Sequence, residues 1–370
     1  MRILLSGGGT AGHVNPAVAI ADALVERECS CEVAFVGREG GEEYGLVDKR
    51  GYPLYRIRVE GLSRKNPIKA AKSLFIDIGA LKRAREIITA FAPDVIIGTG
   101  GYVCAPVLLS GHMMKIPTVI HESNAYPGLA TRMLSRVADR ILLNFECCKR
   151  HLGEHEKIRV VGNPTVSDFT AVARDTARRR LGIGRRDFFI ASFGGSGGAM
   201  MLNTTVIELM KAYSTKTPEI RHIHAVGRRY YPEIKSLEPQ LCRGTSGCKI
   251  LPYIDNMPTV MAAADLVISR SGATTLSEIT AVGVPSILIP SPNVSDNHQL
   301  KNASLLYEVG AARLIEEKNL TLRLLMDTVS ELHSSPELCE QMRRAAKGQH
   351  KGTAKSDTVG EIYSLLKAKK

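Results

Sequence analysis

The chain begins the same pattern twice. "MRILLSGGGTAGHVNPAVA", residues 1–19, and "DFFIASFGGSGGAMMLNTT", residues 187–205, share one order: an apolar run, a glycine-rich loop, then a helix-forming stretch. A restart of this kind calls for two related β/α units, and 370 residues suit two domains better than one. Between the two starts, "NPTVSDFTAVARDTARRRLGIGRRD" breaks the rhythm and is rich in arginine. The division is therefore placed there, giving an N-terminal domain over 1–163 and a C-terminal domain over 164–370. Arg178-Arg179-Arg180 within it reads as a solvated helix face.

Short β-branched runs alternate with helix-period segments throughout. Strands are predicted over 3–6, 32–36, 54–59, 94–99, 118–122, 140–143 and 158–161 in the first half. In the second half they are predicted over 188–193, 221–226, 250–253, 266–269, 286–290 and 312–315. Helices are expected between most of them, for example over 16–26, 68–91 and 127–135. Such alternation predicts an α/β fold of two doubly wound, Rossmann-like domains facing a cleft. Beyond Pro336 the chain reads as helical. Val359, Ile362, Tyr363 and Leu366 form one apolar stripe, and the last helix (about 356–367) is a candidate to pack back on the N-terminal domain.

Net charge narrows the partners. With +12 at pH 7, the chain calls for something anionic: nucleic acid, a phosphorylated substrate or an acidic membrane surface. Aromatic residues are 5% of the chain and tryptophan is absent, which argues against the stacking used for single-stranded nucleic acid. Eight cysteines in so long a chain, with no zinc-type spacing, read as buried or bystander thiols. The first apolar stretch ends at Leu5 in a glycine loop, unlike a secretory leader. Residues 95–114 lack charge, but Gly98, Gly100, Gly101, Pro106 and Gly111 interrupt them, so strand, loop and helix are expected and not a membrane span. These signs point to a cytoplasmic protein.

Four glycine-containing loops fall at predicted strand ends: 7–12, 98–101, 194–198 and 271–273. Glycine admits a phosphate close to the backbone, and a following helix offers unpaired N–H groups. Gly7, Gly9 and Gly12 satisfy G-x-G-x-x-G, but the second strand ends in Phe35-Val36-Gly37-Arg38 and not on the acidic residue a nicotinamide site needs. Residues 194–198 spell G-x-S-x-G, with His298 and acidic residues downstream in a permissible order, so a hydrolase stays open on pattern alone. No Walker A sequence occurs. In "ISRSGATTLSEI", Thr274, Thr275 and Ser277 occupy a first helical turn that suits a diphosphate, and Glu278 lies one turn on, where a carboxylate can accept ribose hydroxyls. His13 opens a helix, and a positive dipole end disfavours imidazolium. That first loop either holds a pyrophosphate and nothing more, or holds an acceptor and takes a proton from it.

Eight motifs carry a resemblance. "GGGTAGHVNPAVAIA", "IIGTGGYVCAPV", "IPTVIHESNAYPGLATRML", "VVGNP", "FGGSGGA", "YIDNM", "ISRSGATTLSEI" and "DNHQLKNA" occur in this order from residue 7 to residue 303. Together they resemble the lipid-acceptor N-acetylglucosaminyltransferases of glycosyltransferase family 28, a GT-B family. The resemblance implies inverting transfer of N-acetylglucosamine (GlcNAc) from UDP-GlcNAc to the C4 hydroxyl of the muramoyl-pentapeptide of lipid I, the undecaprenyl-pyrophosphoryl acceptor, giving lipid II. It implies that Ser196, Ile254, Arg270, Ala273, Thr274, Thr275, Glu278, Gln299 and Asn302 hold the nucleotide sugar. Thr10, Ala11, Gly12, His13, Tyr102 and Asn124 then line the acceptor side and close on the donor. His13 is the implied general base, with Glu278 beside it among the catalytic candidates. The chain departs from the family pattern in two places. Thr165 and Val166 follow Asn163-Pro164 where an arginine is common, and Gly197 replaces a longer residue.

No D-x-D occurs, so no cofactor and no obligatory protein-held metal are expected. His222 and His224 fall on one strand face without a supporting carboxylate or cysteine cluster and read as incidental. Basic residues including Lys69 and Lys72 flank Leu74, Phe75, Ile78 and Leu81 at helical spacing. This combination predicts peripheral attachment to an anionic inner leaflet, on the cytoplasmic face of the cell membrane, with no nucleic acid partner.

Overall fold

The computed structural model describes the whole chain except residues 42, 43, 60–77, 154, 155, 196, 218, 237–246 and 370. The chain forms two compact units, Met1–Val166 with Lys351–Lys370, and Ser167–His350. These bounds depart from the division at 163/164 for a packing reason. Val166 lies against the first unit's core, and so does the last helix, Ala354–Lys369, with Val359, Ile362 and Leu365 buried there and Tyr363 and Leu366 packed beside them. The Tyr363 hydroxyl also donates to Glu28 at 2.6 Å, and Lys369 pairs with Asp139 at 2.7 Å.

Among the described residues, seven parallel strands build the first unit: β1 Arg2–Ser6, β2 Glu32–Arg38, β3 Leu54–Ile57, β4 Val95–Gly98, β5 Thr118–Glu122, β6 Arg140–Leu143 and β7 Ile158–Val160. Their order across the sheet is β3-β2-β1-β4-β5-β6-β7. Central strands such as VIIG are apolar on both faces because helices cover both. Ala11–Arg27 and the last helix cover one face, Ile78–Phe91 and Cys104–Met113 the other. Leu4, Leu5, Ile96 and Ile97 are wholly buried. Each such side chain contributes about 1.5–3 kcal/mol relative to exposure. The charge-free stretch from Val95 resolves into strand, glycine loop and helix, and among the described residues no helix is long and apolar enough to cross a membrane.

The second unit repeats the plan with β8 Phe188–Phe193, β9 Ile220–Ala225, β10 Cys248–Leu251, β11 Leu266–Ser269, β12 Ser286–Leu288 and β13 Ala312–Leu314. Their order is β10-β9-β8-β11-β12-β13, again all parallel. Strand order reverses between β1 and β4 in one unit and between β8 and β11 in the other. Loops leaving such a pair run in opposite directions and open a crevice at the strands' C-terminal ends. The four glycine loops follow these four strands.

Two expectations need correction. The first helix starts at Ala11, not Pro16; Pro16 lies inside it, where its missing N–H removes only the bond to the Gly12 carbonyl. Arg178 is not on a solvated face but 8% exposed. Its guanidinium donates to Asp265 at 2.8 Å and to the carbonyls of Asp187 at 2.7 Å and Ala263 at 3.2 Å. Asp265 sits just ahead of β11 and draws the guanidinium inward, while Arg179 and Arg180 stay exposed.

Candidate active site

In the first unit, the loops after β1 and β4 close on each other and on His13. Gly8 N–H donates to the Gly100 carbonyl at 3.2 Å. A Cβ at Gly100 would lie 2.5 Å from His13 Nδ1, and one at Gly101 would lie 2.0 Å from the Gly8 carbonyl oxygen. Both positions also have φ near +100° (108° and 86°), a conformation that side chains resist. Glycine here lets backbone pack directly against an imidazole.

His13 lies in the first turn of Ala11–Arg27, a helix whose N-cap residue, Thr10, makes no side-chain cap. Its Nδ1 stands 3.1 Å from the Thr99 carbonyl oxygen. A carbonyl only accepts, so Nδ1 carries the proton and Nε2 holds the lone pair. Burial lowers the His13 pKa below its ordinary value; the Glu122 carboxylate and the Thr99 carbonyl oppose that shift. The result is a neutral imidazole with a proton-accepting nitrogen. Burial is the largest cause of that shift.

Glu122 ends β5 and is 4% exposed. Its carboxylate accepts from Asn124 N–H and Asn124 Nδ2 at 3.0 Å each, from Gly128 N–H at 2.9 Å and from Thr131 Oγ1 at 2.6 Å. The loop carrying Asn124 is thus wound around one buried carboxylate. Sequence reasoning missed Glu122; the available signal was an acidic residue ending a buried strand, directly before a turn-forming run. Next to it, Ser123 Oγ donates to Asn163 Oδ1 at 2.9 Å and His121 Nε2 meets the Gly162 carbonyl at 2.9 Å, so the "HESN" and "VVGNP" segments meet. Thr10 and Gly12 are exposed beside His13, Ala11 opens the helix, and Tyr102 is 41% exposed in the loop after β4.

In the second unit, Ser271-Gly272 leads from β11 into the helix Ala273–Val282, whose N-cap, Gly272, has no side chain to satisfy the first amides. Thr274 Oγ1 is buried without a hydrogen-bond partner, and Thr275 stands beside it in the first turn. Ser277 is spent locally, donating to the Ala273 carbonyl at 3.0 Å. Amides without a side-chain cap and a buried hydroxyl without a partner are groups able to receive an anion. Glu278 follows, and burial raises its pKa to about 8. Near neutral pH it is mostly the neutral acid.

The remaining second-unit candidates divide by task. Ile254 is buried after β10. Asn302 Nδ2 donates to the Ser271 carbonyl at 3.3 Å, and Ser271 Oγ donates to the Gln299 carbonyl at 2.8 Å. Gln299 Oε1 accepts from Ser291 N–H at 2.9 Å, leaving its amide N–H groups as donors. Arg270 donates to the carbonyls of Ile289 at 3.0 Å and Pro290 at 3.1 Å and pairs with Glu317. Its guanidinium braces the loop after β12. Ser196, Lys69, Lys72, Leu74 and Phe75 lie outside the described residues, while Ile78 is 83% exposed and Leu81 partly buried. His222 and His224 share a face of β9 and are bridged by Ser192, whose hydroxyl stands 2.7 Å and 2.8 Å from their nitrogens. Among the described residues no three His, Cys, Asp or Glu side chains gather to hold a metal ion.

Residues 3–143 match the glycosyltransferase family 28 N-terminal domain, and residues 189–357 match the glycosyltransferase family 28 C-terminal domain. The UDP-N-acetylglucosamine--N-acetylmuramyl-(pentapeptide) pyrophosphoryl-undecaprenol N-acetylglucosamine transferase of Acetivibrio thermocellus is 41% identical over 370 residues, spanning 99% of this chain and 98% of that protein. The enzyme of the same name from Oenococcus oeni is 39% identical, spanning 99% and 96%. Among solved structures, Acinetobacter baumannii MurG superposes with a TM-score of 0.76 at 25% identity, covering 98% of this chain and 99% of that one. A UDP-GlcNAc 2-epimerase from Neisseria meningitidis shares the fold at a TM-score of 0.65 and 14% identity.

Proposed function

The chain belongs to glycosyltransferase family 28, and from that premise we propose that it transfers GlcNAc from UDP-GlcNAc to the muramoyl-pentapeptide of lipid I, yielding lipid II. The observation that carries this reading is similarity over the full length to transferases bearing that name. The residue chemistry is compatible with it at each step.

His13 Nε2 takes the proton of the acceptor's C4 hydroxyl as that oxygen bonds to the anomeric carbon of GlcNAc. The bond from that carbon to the β-phosphate oxygen breaks on the opposite face, and UDP departs with the electron pair. The amides opening Ala273–Val282, with the Thr274 and Thr275 hydroxyls, stabilise the charge that grows on the diphosphate. This set supports a reaction without a protein-held metal. Glu278 takes the ribose hydroxyls, Ile254 the uracil through its backbone, and Gln299 the transferred sugar through its amide. Ser271, Asn302 and Arg270 act behind them by holding the two loops. Thr10, Ala11, Gly12, Tyr102 and Asn124 shape the acceptor side, with Glu122 fixing the last of these.

Access to a lipid acceptor is assigned to the basic, apolar segment before and within Ile78–Phe91, on the cytoplasmic face of the membrane. Ile78, 83% exposed at the start of that helix, supports the assignment. The test of the whole reading uses purified protein, labelled UDP-GlcNAc and a short-chain analogue of the lipid-linked muramoyl pentapeptide. A labelled disaccharide-lipid is expected, with one UDP released per product. Consumption of UDP-GlcNAc without acceptor would favour an epimerase instead.

A further inference from the structure

A cavity of about 410 Å³ lies within the second unit. It shares no lining residue with the candidate active site. Its walls include Ala262 and Ala281–Gly283, which precede β11 and β12, whereas Ser271 and Ser291 follow those strands. The cavity therefore opens at the N-terminal end of the sheet. Its size falls in the range of small-molecule sites.

The walls are unusual in charge. Arg174, Arg343, Arg344 and Lys347 line the cavity, with Glu340 as the one carboxylate among the lining residues. Beneath them, a single further carboxylate, Asp265, serves three guanidinium groups: it pairs with Arg174, with Arg178 at 2.8 Å and with Arg343 at 3.7 Å. Glu340 is engaged by Arg344 at 3.1 Å. Lys347 forms no ion pair among the described residues; its aliphatic stem covers Gly283. Carbonyls at the end of Met257–Ala263 absorb part of this charge, as Arg174 donates to Ala264 at 2.6 Å and Arg343 at 3.3 Å. Five cations against two carboxylates still leave a local excess. Burial lowers the Arg343 pKa to about 10, and repulsion from Arg174 adds to the shift. Phe169, Val172 and Val282 give the same cavity an apolar side.

We infer that this cavity binds a phosphorylated small molecule, its phosphate meeting Arg343, Arg344 and Lys347 and its carbon skeleton lying against Phe169, Val172 and Val282. Guanidinium groups match phosphate oxygens in pairs, and a second negative charge relieves the repulsion between Arg174 and Arg343. Bulk solvent reaches Arg344 and Lys347, so the ligand enters past them.

Calorimetric titration of the full-length protein with pyrophosphate, at ionic strength fixed with sodium chloride, tests this. A saturable event is expected, weakened at least tenfold in the double variant Arg344→Ala/Lys347→Ala and, to a lesser degree, in Lys347→Glu alone. Both side chains are exposed, so thermal melting of the variants should match the parent. No saturable event, or equal affinity in parent and double variant, would overturn the inference. Neither variant touches the candidate diphosphate end of the helix Ala273–Val282, so the comparison of parent with variant is independent of the proposed transferase reaction.

Discussion

Thr99 holds His13 at two points: its carbonyl accepts from the ring Nδ1 at 3.1 Å, and its hydroxyl donates to the His13 carbonyl at 2.7 Å. One residue at the end of a central strand thus sets both the tautomer of the imidazole and the position of the helix turn that carries it. Thr99→Val keeps the first bond and deletes the second. The expected cost is about 1 kcal/mol of stability and a severalfold loss in kcat with little change in KM for UDP-GlcNAc, while Thr99→Ser retains the parent rate. Equal kcat in Thr99→Val and the parent would show that the second bond is idle.

Burial places the His13 pKa below its usual value near 6.5. A general base works when neutral, so kcat should hold steady as pH falls through 6.5 and decline only below it. Glu122 opposes this shift, so Glu122→Gln should move the acid limb to still lower pH. A pH–rate profile checks both directions; an acid limb above 6.5 would contradict them.

Glu278 is raised to about 8 by burial, and accepting two ribose hydroxyls needs the carboxylate. Affinity for UDP should therefore improve as pH rises through about 8. In Glu278→Gln the affinity should fall about tenfold and lose this dependence. Binding measured across that pH range in parent and variant distinguishes a ribose contact from a merely buried acid.

Ser192, His222 and His224 form a buried polar triangle inside the second unit. Desolvation lowers His222 to about 3, with repulsion from His224 second, and lowers His224 to about 4. Both folded values lie below the ordinary value of 6.5, so the unfolded chain binds protons first as pH falls. The stability these neutral imidazoles allow is fully present above 6.5 and is lost progressively between 6.5 and about 4. Thermal melting should drop steeply across this window, with a shallower slope in His222→Gln. A flat profile in the parent would contradict the burial of both rings.

The fold was legible because a doubly wound sheet writes itself in short runs such as Ile96-Ile97, buried on both faces and closed by glycine. The start of the first helix was not, since Thr10 makes no side-chain cap to mark it and Pro16 is tolerated one turn inside. Arg178 was misread because a residue's reach to Asp265, distant in sequence, leaves no local trace. Arg270 shows the limit from the other side. Its place in a ligand-associated motif was readable, but its use on the carbonyls of Ile289 and Pro290 depends on β12 and its loop lying alongside. Glu122 escaped notice because half of its partners are backbone amides, which every sequence contains.

The most direct test of the chemistry replaces one atom's role. His13→Gln retains a side chain of similar reach but no basic nitrogen. Single-turnover transfer to the lipid-linked muramoyl acceptor should slow by roughly 10²–10⁴-fold, with UDP affinity unchanged. Turnover within a factor of about two of the parent would remove the imidazole from the reaction and, with it, the proton transfer on which this mechanism turns.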